Sequence, residues 1–345
     1  MPAYPKVCIG SLLDDRFLLT EEIAHGGMAV VFKAKDLLNC GDSVAVKVPK
    51  SLYAYGIGNW SMCQQEETIG RSLNHPYVLK FLPLSAKRER GYMVTEYVPG
   101  LTLAEHLKQQ SPLPEAESLS IASRICEALH HVHERGYVHY DLKPANIMLS
   151  HDGSIRLIDF GLSHRARSKR FSFSGQAPGL ATADYVAPEQ VRRKKGQMSA
   201  DVYGVGAILY EMLTGQVPFP NDDPFKIAST RLLGDPTAPS ALNATISPQA
   251  EEIVLRALRR KPAERYANVA VLRRDLECPA DVRMQNLRQS LQSVSRSRKF
   301  WHVVRHVTLV ATVPVLCQVV LFLWLWHHFS AVEPRNGARP TMLSP

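Results

Sequence analysis

Apolar and polar residues change their period along the chain. Phe17–Ala24 (FLLTEEIA), Ala29–Asp36 (AVVFKAKD) and Ser43–Pro49 (SVAVKVP) are short, rich in β-branched or aromatic residues, and separated by glycine-containing breaks. That combination predicts strands. From Leu103 onward the spacing becomes helical. Between Ala116 and Glu134 the apolar positions Leu119, Ile121, Ala122, Ile125, Leu129 and Val132 fall on one face, and Gly136 supplies a stop. Asp201–Leu213 and Pro248–Leu258 read the same way. A strand-rich first third followed by helices predicts an α+β body of two packed lobes.

The last pattern is different in kind. Val307–Trp326 runs for 20 residues without a charge. At 1.5 Å per residue it matches a hydrocarbon core of about 30 Å, so a transmembrane helix is expected at 307–326. Pro314 is tolerable in such a helix, and Trp301, Trp324 and Trp326 suit its interfaces. Met284, Leu287, Leu291 and Val294 are spaced 3, 4, 3 and suggest a short coiled coil before the span, through which a homodimer could form.

Charge sharpens this picture. The 345 residues carry 41 Lys and Arg against 32 Asp and Glu, a net +9. Of that excess +6 lies in residues 281–345 and only +3 in residues 1–280. Six of the basic residues fall within 283–305, directly before the apolar run. The positive-inside rule then places the body in the cytoplasm and the tail 327–345 outside, with the basic stretch on anionic lipid headgroups. A nucleic-acid partner is not expected, because the body is nearly neutral. The first residues lack the charged start and long apolar stretch of a signal peptide. Cys8, Cys40, Cys63, Cys126, Cys278 and Cys317 form no CxxC pair, so neither a zinc site nor a disulfide framework is expected.

Candidate chemistry is confined to the body. Ile23–Val31 (IAHGGMAVV) places glycines between two predicted strands, where backbone N–H groups can approach a polyphosphate. Val44–Lys47 ends an apolar strand on a lysine. His139–Asn146 (HYDLKPAN) is followed, 18 residues after Asp141, by Asp159-Phe160-Gly161. Asp159 and Asn146 offer hard oxygen ligands for Mg²⁺. Asp141 can take the proton of an attacking hydroxyl, and Lys143 can balance charge on a moving phosphoryl group. His130, His131 and His133 lie on one predicted helix without a second ligand motif and are expected to be surface or core residues.

In order and spacing these segments resemble the protein-kinase signature over about residues 12–276. The chain is similar to serine/threonine kinases, in particular their bacterial branch, where a Gly-Gly-Met loop is common. Further matches are Glu66 before Leu73-Asn74-His75-Pro76, the hinge-like Met93–Val98 with Thr95 at the gatekeeper position, Ala187-Pro188-Glu189, Asp201, and Arg265. The resemblance implies a bilobal kinase fold, with a β-rich N-lobe over about 12–98 and an α-rich C-lobe over about 99–276. A basic juxtamembrane linker, 277–306, would follow. It implies that ATP is bound by Ala24, Gly26, Gly27, Met28, Val31, Ala45, Lys47, Glu96, Val98 and Met148. Lys47 would hold the phosphates, fixed by Glu66, and Asn146 and Asp159 would hold Mg²⁺. Asp141 would orient the Ser/Thr hydroxyl of a protein substrate, assisted by Lys143. Arg265 is expected to pair with Glu189. Lys143, with Thr182, is the serine/threonine pattern.

Two departures stand out. Against GxGxxGxV, Ala24 and Ala29 replace two glycines. Tyr140 replaces the arginine that, in the common version, pairs with a phosphorylated activation-loop residue. These leave room for a nucleotide-binding scaffold without transfer activity. A kinase-like fold acting on a small molecule is a further alternative, which the APE segment disfavours.

Overall fold

In the computed structural model of this chain the described residues are 7–26, 29–50, 57–84, 91–161, 163–165, 184–192 and 197–291. Strands β1 (Leu12–Leu13), β2 (Phe17–His25), β3 (Ala29–Asp36), β4 (Asp42–Pro49) and β5 (Met93–Glu96) form one antiparallel sheet in sequential order. Helix α1 (Ile57–Ser72) is inserted between β4 and β5. The register decides what each face carries. Phe32 opposes Val46, Ala34 opposes Val44, and Val46 opposes Val94. These residues share one core with Leu13, Phe17, Leu19 and Tyr92. The alternate positions pair Val31 with Lys47, Lys33 with Ala45, and Ala45 with Thr95. With a side-chain period of two, a one-residue slip would exchange the faces, so burial of the apolar set fixes Lys47 on the other side.

After β6 (Gly100–Thr102) the chain is mainly helical. The helices are α2 (Leu103–Gln109), α3 (Glu115–Glu134), α4 (Pro188–Val191), α5 (Ser199–Thr214), α6 (Pro224–Leu233), α7 (Pro239–Leu242), α8 (Pro248–Ala257) and α9 (Val269–Glu277). Short strands β7 (Tyr137–Val138), β8 (Ile147–Ser150), β9 (Ile155–Leu157) and β10 (His164–Arg165) pair as β6-β8-β9 and β7-β10. α3 buries the predicted stripe and ends where expected, with Gly136 at φ +77° beyond its last turn. α5 is buried on nearly every side. A Cβ on Gly206 would stand 2.7 Å from that of Ala257, so glycine there lets α5 and α8 approach closely. The two-lobed α+β architecture is the one the hydrophobic pattern predicts.

The predicted coiled-coil seam is corrected as far as Leu291. Asn286 adopts φ +54° and the next residues, Leu287–Ser290, form a 3-10 turn. Leu287 is buried rather than presented to a partner, and the Glu252 carboxylate on α8 accepts the N–H groups of Gln285 (2.8 Å) and Leu287 (3.1 Å). Burial of single apolar residues on the body therefore outcompetes a free amphipathic helix. Among the described residues no helix is long and apolar enough to cross a membrane. The span expected at 307–326 and the tail 327–345 lie outside them, as do Gly27, Met28, Thr182 and the loop serines.

The N-lobe sheet is closed at one end by a buried carboxylate. Asp36 accepts from Arg16 Nε (2.8 Å) and Nη2 (2.6 Å), Asn39 Nδ2 (2.9 Å) and the Leu38 N–H (3.2 Å). Hydrogen bonding from Arg16 holds the Asp36 carboxyl below the usual carboxylate range. Its ionised form is therefore favoured by folding, a contribution present above the unfolded carboxylate value of about 3.9 and lost as pH falls below it. Asp36→Asn is expected to cost about 3 kcal/mol at pH 7. Urea unfolding of both proteins checks this, and the gap should narrow below about pH 4.

Candidate active site

The non-core face of the sheet delivers Val31, Ala45 and Lys47 to one side, with Thr95 alongside. Lys47 Nζ lies 2.8 Å from both Glu66 oxygens on α1 and 3.8 Å from Asp159 Oδ1. Burial alone would lower the Lys47 ammonium, but Asp159 and then Glu66 outweigh it and hold the group above the ordinary lysine range. Lys47 in turn holds the Asp159 carboxyl below its ordinary value. A permanent cation thus sits between two carboxylates contributed by a helix and a distant loop.

That loop and its neighbour are built on α5. Asp201 is buried, and its oxygens accept the N–H groups of His139 and Tyr140, both at 2.9 Å. Its third partner is His133 Nε2, at 2.8 Å. Burial would raise the Asp201 carboxyl; His133 and the loop N–H group of His139 outweigh that and hold it low. Tyr140 is at φ +66°, a conformation that is strained for a bulky residue and that these bonds enforce. Asp141 follows. Its Oδ2 receives Lys143 Nζ (2.7 Å) and Asn146 Nδ2 (3.1 Å), while its Oδ1 is buried without a hydrogen-bond partner. Asn146 Nδ2 also donates to the Asp141 carbonyl at 2.7 Å. With the amide nitrogen engaged, the amide oxygen is the atom left for a cation.

Asp159 also has positive φ, +64°, and its Oδ1 accepts the Gly161 N–H at 3.1 Å. Phe160 beside it is fully buried, edge-on to the His139 ring at 5.3 Å. The Ile158 N–H donates to the Asn146 carbonyl at 2.9 Å, which ties the two loops together. Asp141, Lys143, Asn146, Asp159, Lys47 and Glu66 are thereby one connected set. Two acidic or amide oxygen donors beside a lysine suit a hard divalent cation on a polyphosphate, and the unpartnered Asp141 Oδ1 suits a hydroxyl donor.

The remaining predicted nucleotide residues frame this set. Ala24 pairs with Val31, and the Gly26 N–H donates to the Ala29 carbonyl at 2.9 Å, closing the β2–β3 turn. Glu96 ends β5, with its carboxylate accepting the Lys80 N–H (3.0 Å) and Arg156 Nε (3.3 Å). That side chain is thus occupied by protein partners, and the Glu96 N–H donates to the Lys80 carbonyl at 2.9 Å. Met148 sits on β8 opposite Thr102 and Arg156.

The segment around α4 abuts the catalytic loop. Arg265 Nη1 and Nη2 each lie 2.7 Å from a Glu189 oxygen, the expected pair, in a buried bidentate arrangement. Gln190 Oε1 accepts the Ala187 N–H at 3.0 Å, and its Nε2 donates to the Tyr140 carbonyl at 3.0 Å. The role of Gln190 was not legible in the sequence; Asp201 stood out there as a family match, but not the N–H groups that it anchors. His130, His131 and His133 go to separate partners, Glu134, the Asn74 N–H and Asp201. No metal cluster of His, Cys, Asp or Glu is present among the described residues.

Residues 17–276 match the family described as protein kinase domain. The chain is 35% identical over 268 residues to serine/threonine-protein kinase PknB of Mycolicibacterium smegmatis, covering 76% of this chain and 43% of that protein. It is 35% identical over 270 residues to PknB of Mycobacterium tuberculosis, covering 77% and 43%. Serine/threonine-protein kinase PrkC of Bacillus subtilis is 29% identical over 298 residues, covering 86% and 46%. The chain spans less than half the length of these relatives. With a matching domain and a connected Lys47, Glu66, Asp141, Asn146 and Asp159, the chain belongs to the protein kinase family.

Proposed function

We propose that this chain transfers the γ-phosphoryl group of ATP to Ser/Thr hydroxyls of protein substrates. The observation that carries this reading is the buried, unpartnered Oδ1 of Asp141, flanked on its other oxygen by Lys143 and Asn146. A buried acceptor without a donor is costly unless a ligand supplies one, and an acceptor hydroxyl does. Asn146 and Asp159 would hold Mg²⁺, which neutralises charge on the phosphates when bound. Lys47, held by Glu66, would fix the phosphates, and Lys143 would balance charge as the phosphoryl group moves. Catalysis of this type is positioning and electrostatics, so a rigid, fully interlinked set is the relevant asset.

Tyr140 bears on control. Burial, with Asp201 and Glu189, pushes its phenol up to about 12, so it is neutral at physiological pH. It offers no cation to an activation-loop phosphate, and the loop it belongs to is held by Asp201 instead. On this reading activity would not depend strictly on phosphorylation of Ser168, Ser172 or Ser174. The basic stretch 283–305 and the apolar run 307–326 would hold the body at anionic membrane lipid.

Three expectations follow from this reading. With labelled ATP and Mg²⁺, Asp141→Asn should lower transfer about 10²–10⁴-fold, and Lys47→Met about 10²–10³-fold; equal labelling in wild type and both variants would refute phosphoryl transfer. Alanine at Ser168, Ser172 and Ser174 together should leave kcat within about threefold, a difference of less than about 0.7 kcal/mol; loss restored by glutamate would overturn independence from phosphorylation. Removal of residues 307–345 should move the protein from the membrane to the soluble fraction on cell lysis, and an unchanged distribution would remove the anchor.

A further inference from the structure

Arg231, on α6, is the bulkiest fully buried side chain among the described residues, at 1% exposure. A buried guanidinium ordinarily has a carboxylate partner, because desolvating a charge is expensive. Among the described residues no carboxylate forms an ion pair with Arg231. Its Nη1 donates to the Val186 carbonyl at 2.5 Å and its Nη2 to the Asp184 carbonyl at 2.8 Å. Its Nε has no partner. The rings of Phe219 and Tyr203 stand 5.6 and 5.8 Å from the guanidinium carbon, within the range of a cation–π contribution. The hydrogen bonding of a buried cation is thus spent on two backbone oxygens, both in the short segment that leads into α4.

That segment is fastened from several sides. Tyr185 donates its hydroxyl to Glu211 Oε2 on α5 at 2.6 Å. Gln190 closes the turn at Ala187 and reaches the carbonyl of Tyr140, the residue before Asp141. Residues 184–190 are therefore mechanically continuous with the catalytic carboxylate. Through Gln190 they adjoin the loop to which an acceptor hydroxyl would be brought. Arg231 is the fastening contributed by α6. An apolar side chain of similar volume would leave both carbonyls without their donors.

We propose that Arg231 is a positioning residue for the protein substrate. It holds the Asp184 and Val186 carbonyls where the acceptor chain lies against them, and so sets affinity for the protein rather than for the nucleotide. This rests on the phosphotransfer reading above. Arginine suits the task because its planar fork serves two acceptors at once, whereas the lysine ammonium acts as a point charge.

The test uses the full chain with dephosphorylated casein as acceptor, ATP and Mg²⁺, comparing wild type, Arg231→Met, Arg231→Lys and Asp141→Asn. Arg231→Met is expected to raise KM for casein at least tenfold while KM for ATP stays within twofold. Arg231→Lys should lie between Met and wild type. Hydrogen exchange of residues 184–191 is measured in parallel. It should quicken in Arg231→Met and not in Asp141→Asn, a readout independent of transfer. Unchanged exchange, or an unchanged casein KM, in Arg231→Met overturns the proposal. So does an equal rise in both KM values accompanied by a lowered unfolding temperature in both Arg231 variants. Absence of casein labelling in wild type would instead overturn the phosphotransfer reading, with the exchange result still deciding whether Arg231 positions the segment.

Discussion

Asp201 lies inside a helix whose other side chains are almost all apolar and buried, and it accepts hydrogen bonds from two consecutive N–H groups of the catalytic loop. Much of the site depends on this one carboxylate. It holds Tyr140 in a left-handed conformation, which turns Asp141 back toward Lys143 and Asn146. The Asn146 carbonyl then accepts the Ile158 N–H in the loop carrying Asp159, and Asp159 meets Lys47 from the N-lobe. An ionised group so deep is tolerable only because His133 and the backbone donors surround it. The apolar bulk of α5 supplies the rigid seat, and the polar exception within it supplies the aim.

The two lobes are coupled through charge rather than through apolar packing alone. Lys47 projects from the sheet because the register of β3 and β4 assigns the opposite face to the N-lobe core. Ile69 and Leu73, at the C-terminal end of α1, belong to the larger core that continues into the helical lobe, while Glu66, one turn earlier, reaches Lys47. The helix therefore answers to both lobes. A shift of α1 relative to either would separate Lys47 from Glu66 and leave a buried carboxylate uncompensated, a cost that favours one arrangement over others.

What could be read from the sequence divides along physical lines. Strand and helix patterns are local, so β2, β3, β4 and α3 appear within a residue or two of their expected limits, and Gly136 marks the stop of α3. The residues of the candidate site could be picked out because their spacing is contained in short segments, and the structure brings them together. Partners joined across long separations were not. Gln190 bonding to Tyr140, and Arg231 bonding to Asp184 and Val186, depend on which helix faces which loop, and no periodicity encodes that. The coiled-coil reading erred for the same reason. The spacing of Met284, Leu287 and Leu291 fits a helix, but the prior docking of Leu287 under Glu252 is a tertiary event that ends it.

The left-handed backbone at residue 140 has a consequence for how control could be gained or lost. Asp201 accepts the N–H groups of His139 and Tyr140, and Gln190 donates to the Tyr140 carbonyl, so the backbone here is held by partners that do not call for a basic side chain at residue 140. Shape and responsiveness are therefore separable at this position. An exchange of Tyr140 for arginine would place a cation beside this held backbone, the group that a charge-assisted bond to a phosphate requires. On the proposed reading, dependence on phosphorylation would be an attachment made at one side chain rather than a property of the backbone that aims Asp141.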